Sequence, residues 1–126
     1  AGSVQLLDHL AERGTKIAVV TSSRNAAAVL EAADLRQRFG VVVDGNVAAE
    51  KGLRGKPSPD TFVAAAKELG VSVERAVVFE DAVSGVQAGH AGGFGLVVGV
   101  DRGVGVQRLT EPGADVVVAD LAELAA

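Results

Sequence analysis

Apolar residues recur along this chain in two rhythms, helical stripes and short continuous runs, and the two alternate. Leu6, Leu7, Leu10 and Ala11 fall on one helical face behind Ser3, a good N-cap, and Gly14 is a good stop. Residues 17–20 form a short apolar run, read as a buried parallel strand. The polar loop Thr21-Ser22-Ser23-Arg24-Asn25 follows, then a helix with Val29, Leu30 and Ala33 on one face. Residues 41–43 read as a strand ending at Asp44-Gly45-Asn46, and residues 48–56 as a loop. Ser58 is expected to cap the next helix, with Pro59 at its first position, Asp60 at its positive end, and Phe62, Ala65, Ala66 and Leu69 as its buried stripe. Further strands are predicted over residues 76–79, 94–100 and 116–118, with helices over 84–91 and 121–125.

This alternation predicts an α/β fold, a three-layer α/β/α Rossmann-like arrangement around a parallel sheet. Ligands in such sheets collect beyond the carboxyl ends of the strands, which directs attention to Thr21, Asp44, Glu80, Asp81, Asp101 and Asp120. At 126 residues the chain suits one domain with its own core. Only four Phe and no Trp or Tyr are present, so that core must be built from Val, Ala and Leu. The same scarcity leaves few stacking platforms for single-stranded nucleic acid. A net charge of −4 argues against non-specific DNA binding and against anionic membranes. No apolar run is long enough to span a bilayer. Without cysteine there are no disulfides or thiolate–zinc sites, and a cytoplasmic location is the default expectation. The chain starts Ala1-Gly2-Ser3 and contains no Met, so it is read as a piece of a longer polypeptide.

Three clusters carry candidate chemistry. Thr21, Ser22 and Ser23 place hydroxyls and loop N–H groups between a strand end and a helix start, which suits a phosphate; the plain alternative is a helix cap. In Gly55-Lys56-Pro57-Ser58-Pro59-Asp60, two prolines stiffen the approach to a helix, and a rigidly placed Lys56 ammonium can neutralise a phosphoryl oxygen. The plain alternative is a surface lysine. In Phe79-Glu80-Asp81-Ala82-Val83-Ser84-Gly85, two adjacent carboxylates end a buried strand. A hard divalent cation such as Mg²⁺ would relieve their repulsion, the alternative being a solvated acidic turn.

In this order the three clusters resemble the haloacid dehalogenase (HAD) superfamily, within it the β-phosphoglucomutase-like subgroup, most clearly over residues 16–101. The resemblance implies that Thr21 binds the transferring phosphoryl group, assisted by Ser22, Ser23 and Asn25. It implies that Lys56 stabilises charge on that group and that Glu80 and Asp81 hold Mg²⁺. It also implies an upstream Asp-x-Asp strand, central in the sheet between the strands at residues 17–20 and 76–79, and a cap domain that chooses the substrate. Neither is present: the chain contains no Asp-x-Asp, and Asp44-Gly45-Asn46 stands in the wrong place. Residues 1–126 are thus expected to be the C-terminal portion of the core domain, with an open position in the sheet and no activity by themselves. The implied parent enzyme transfers a phosphoryl group from a small phosphorylated metabolite such as a sugar phosphate, by way of an aspartate, to water or a sugar hydroxyl. Water is favoured because it needs no acceptor site. Two other classes stay open: a non-catalytic HAD-like binding module, and a receiver-type signalling domain. The latter is disfavoured because receivers place their acidic pair before the Thr and Lys.

Overall fold

The computed structural model describes residues 2–21, 30–32 and 39–124. Helix α1 (Gly2–Glu12) ends near Gly14, whose φ of 68° is the left-handed turn a glycine adopts without strain. Strand β1 (Ala18–Val20) follows, and pairs in parallel with β2 (Val41–Val43), Ala18 opposite Val41. Of the helix expected around Val29, Leu30 and Ala33, residues 30–32 are helical and most of the remainder lies outside the described residues.

The segment after β2 corrects the sequence reading. Residues expected to be a loop are partly helix: α2 runs Gly45–Lys51. Asp44 starts it, its Oδ1 accepting the Val47 N–H at 2.9 Å, and Gly52 closes it in the left-handed conformation. Asp44 is buried, so its carboxylate is committed to this cap. Replacing Asp44 with Ala should lower stability by about 1–2 kcal/mol. The measurement is a urea titration, in which the midpoint should fall with an unchanged slope.

Helix α3 (Asp60–Leu69) begins one residue later than expected, with Pro59 in the N-cap position. Ser58 still serves the helix start, its Oγ accepting the Asp60 N–H at 3.3 Å. Strand β3 (Val77–Glu80), helix α4 (Val83–Ala91), strand β4 (Leu96–Val100), helix α5 (Val106–Thr110) and strand β5 (Val116–Val118) complete the regular elements, with a 3-10 turn at Leu121–Leu124. The short α5 was not anticipated, and the expected terminal helix is 3-10 over its described residues.

Strands β3, β4 and β5 form a parallel sheet in that order, with Val77 opposite Leu96 and Val98 opposite Val116. Successive side chains on a strand point to opposite faces, and β4 buries both. Val97 packs with Val86 of α4 and Leu109 of α5, whereas Val98 and Val100 pack with Val118, Leu121 and Leu124. The 3-10 turn that covers the second face also contacts α1. These are the three layers expected, with a core of Val, Ala and Leu around Phe62. No helix among the described residues is long and apolar enough to cross a membrane.

The sheet is not continuous. Among the described residues β1–β2 and β3–β4–β5 are separate sheets, with no ladder from β1 to β3. Between them lies a cavity of about 580 Å³. Residues 17–20 form one wall and residues 76–80 the other, with Leu6, Leu7 and Leu10 of α1 and the Phe62–Leu69 stripe of α3 also lining it. Val77 and Phe79 stay exposed, at 48% and 36%. Strands with neighbours on one side only leave a row of N–H and C=O groups unpaired, and here two such rows border an apolar slot.

Candidate functional site

At the carboxyl end of the slot, Lys56 bridges the two flanking strands. The chain reaches it through a tight turn in which the Ser58 N–H donates to the Gly55 carbonyl at 3.0 Å, with a cis Lys56–Pro57 peptide. The Lys56 ammonium ion-pairs with Glu80, the last residue of β3, and donates to the carbonyl of Val20, the last residue of β1, at 3.4 Å. One ammonium thus touches the ends of both strands that flank the slot, so β1 and β3 finish at the same edge. Lys56 also lies 5.0 Å from the Phe62 ring centre, within cation–π range. Phe62 is held edge-to-face against Phe94, with centroids 5.9 Å apart.

The Lys56 and Glu80 side chains are 21% and 11% exposed. Partial removal from water strengthens their mutual attraction and raises the cost of stranding either charge. The pair is therefore a fixed feature, unlike the exposed Lys51–Glu68 pair on α2 and α3, which suffers solvent screening.

Thr21 follows β1 directly, and its N–H donates to the Val43 carbonyl at 2.9 Å. That bond extends the parallel pairing one residue past the strand and holds the Thr21 backbone at the slot's end. Ser22, Ser23 and Asn25 lie outside the described residues. Asp81, next after Glu80, is exposed. The two carboxylates therefore differ: Glu80 is drawn onto Lys56, while Asp81 faces solvent. Among the described residues no three His, Asp or Glu side chains converge. Mg²⁺ often takes only one or two protein carboxylates and completes its shell with water and phosphate oxygens. An all-oxygen pair at a strand end fits that chemistry.

Two features escaped the sequence reading. The helical pattern places Phe62 only in the α3 stripe, yet its ring also contacts the Lys56 ammonium. Asp60 was read as a partner of the helix dipole, but its Oδ2 accepts from the Arg54 N–H at 3.1 Å and from Arg54 Nε at 3.2 Å. The Arg54 backbone N–H, then its guanidinium, hold the Asp60 carboxyl below the usual carboxylate range. Residues 54 and 60 thereby clip together the loop that presents Lys56. The two residues bracket an irregular loop, which has no side-chain period, so no pattern rule singles the pair out.

Comparison with known proteins gives the family and the fold. A family model described as haloacid dehalogenase-like hydrolase matches residues 1–93. A β-phosphoglucomutase from Mycobacterium bovis is 48% identical over 126 residues, covering 98% of this chain and 48% of that protein. Hexitol phosphatase A from Escherichia coli is 35% identical over 112 residues, covering 87% of this chain and 49% of its own length. A HAD family hydrolase from Deinococcus radiodurans, crystallised with bound phosphate and sodium, superposes with a TM-score of 0.85 at 34% identity, covering 98% of this chain and 56% of that one. The chain spans about half the length of the curated relatives it matches. By this family match and the arrangement of its strands, the chain belongs to the haloacid dehalogenase-like hydrolases.

Proposed function

We propose that this chain is the charge-stabilising half of a Mg²⁺-dependent phosphoryl-transfer site acting on a small phosphate ester, a sugar phosphate in the first instance. The observation that carries the reading is the Lys56 ammonium, held by Val20, Glu80 and Phe62 at the shared carboxyl edge of β1 and β3. Charge developing on a transferring phosphoryl group is stabilised most by cations already fixed where it develops. Lys56 meets that requirement because its position does not depend on substrate. In this reading Thr21 holds the phosphoryl oxygens beside it, with Ser22, Ser23 and Asn25 assisting. Glu80 and Asp81 would hold Mg²⁺, which when bound screens the anionic phosphate from an attacking carboxylate.

The nucleophile belongs to the remainder of the parent protein. An apolar slot bordered by two strands that end together suits one further parallel strand, and a carboxylate at the end of that strand would face Lys56. The phosphoryl group passes to that carboxylate and then to water, which makes the parent a phosphatase. A mutase is the second reading, supported by the M. bovis likeness. One assay of the full-length protein separates the readings. A phosphatase releases inorganic phosphate from hexose or hexitol phosphates with Mg²⁺ and stops with EDTA. A mutase interconverts the sugar phosphates without net release. Neither outcome with any phosphate ester would leave a non-catalytic module and contradict the proposal.

A further inference from the structure

We infer that Gly85 is the positioning residue that lets the Glu80 carboxylate reach Lys56. Gly85 is buried in the first turn of α4, the helix that follows β3. A Cβ built there would overlap Cγ, Cδ and Oε2 of Glu80, well inside van der Waals contact. The Glu80 side chain therefore lies across the space that any other residue at 85 would occupy, and from there it pairs with Lys56. Adding a methyl group must push either the helix or the carboxylate aside. The carboxylate is the softer of the two, because it ends a flexible side chain, whereas α4 is packed onto the sheet through Gly89. A Cβ at Gly89 would stand 3.1 Å from Val97 Cγ2 and 3.3 Å from Val78 Cγ1, so the helix already lies close on the sheet. The two glycines, one turn apart, thus have different tasks. Gly89 lets α4 approach β3 and β4, and Gly85 leaves room for a charged side chain under the helix. Through Glu80, Gly85 fixes where the Lys56 ammonium sits. This holds whatever reaction the site performs.

Lysine labelling followed by mass spectrometry tests it on the full-length protein, with an amine-acylating reagent as probe. Ala is ordinarily the better helix former, yet Gly85→Ala should release Lys56 and raise its labelling rate severalfold. Lys51 and Lys67 should keep their rates. Gly89→Ala should lower the unfolding temperature through packing while leaving Lys56 labelling unchanged, which separates a positioning role from a structural one. Glu80→Ala should raise Lys56 labelling as Gly85→Ala does, and Gly85→Ala added to it should have no further effect, since the overlapped atoms are gone. If Gly85→Ala does not accumulate folded, the Glu80→Ala/Gly85→Ala double variant should be recovered. Unchanged Lys56 labelling in folded Gly85→Ala, an additive effect in the double variant, or a double variant that fails to fold would each overturn the inference.

Discussion

If the proposed activity holds, replacing Lys56 with Ala in the full-length protein should reduce turnover at least about 100-fold, the usual effect of deleting one preorganised stabiliser of transition-state charge. The reason is how the ammonium is held. It already has a carbonyl, a carboxylate and an aromatic ring as partners, so little reorganisation accompanies the reaction. The loss should appear in kcat and kcat/KM together, because the interaction strengthens as charge develops. Lys56→Ala also leaves Glu80 without its partner in a site that is mostly removed from water. Some stability will be lost, and turnover should be compared well below the variant's unfolding temperature. Lys51 pairs with Glu68 on the surface, and Lys67 is exposed on α3. Alanine at either should leave turnover near normal. Near-normal turnover in Lys56→Ala would remove the assignment of this residue.

The second large effect concerns the slot. The 126-residue chain alone should release no phosphate from any sugar phosphate with Mg²⁺, however concentrated. It should also unfold at a markedly lower temperature than the full-length protein. Two facing rows of unpaired backbone groups and a cavity of about 580 Å³ both act in that direction. Filling the slot with a strand would pair both rows and cover Val77 and Phe79. Robust hydrolysis by the isolated chain would mean that the nucleophile is already present. Asp44, the buried carboxylate at the end of β2, would then be the first residue to replace.

Three strands of the slot region were readable from sequence, because a short continuous apolar run has few other uses. The runs over residues 17–20, 41–43 and 76–79 correspond to β1, β2 and β3, and the polar residues that follow them are where the site forms. Short helices were not readable. Helix α2 depends on one capping carboxylate in a Gly-Asn context that also suits a turn. Helix α5 has five residues and one buried side chain, Leu109, behind a glycine-rich loop, too short for a period to show. At the site, the residue types and their order were legible, but their pairing was not. Lys56 and Glu80 are 24 positions apart and meet only because β1 and β3 end at one edge. The order of residues thus shows Glu80 beside Asp81 but not that its carboxylate reaches Lys56. The same holds for Gly85, visible as a motif position but explained only once its neighbour's side chain is seen lying over it.

The central claim is that a carboxylate outside residues 1–126 accepts the phosphoryl group opposite Lys56. Covalent trapping addresses it most directly. Full-length protein is incubated with Mg²⁺ and a ³²P-labelled sugar phosphate and quenched in acid, and bound ³²P is counted; a parallel sample is reduced with borohydride, which expels the phosphate and converts an acyl phosphate at aspartate to homoserine. Mass spectrometry then locates the modified residue. One modified aspartate is expected, outside this chain, at the end of an apolar run. Alanine at that position should abolish both the bound ³²P and turnover. Homoserine at Asp44, or at any other aspartate within residues 1–126, would contradict the claim.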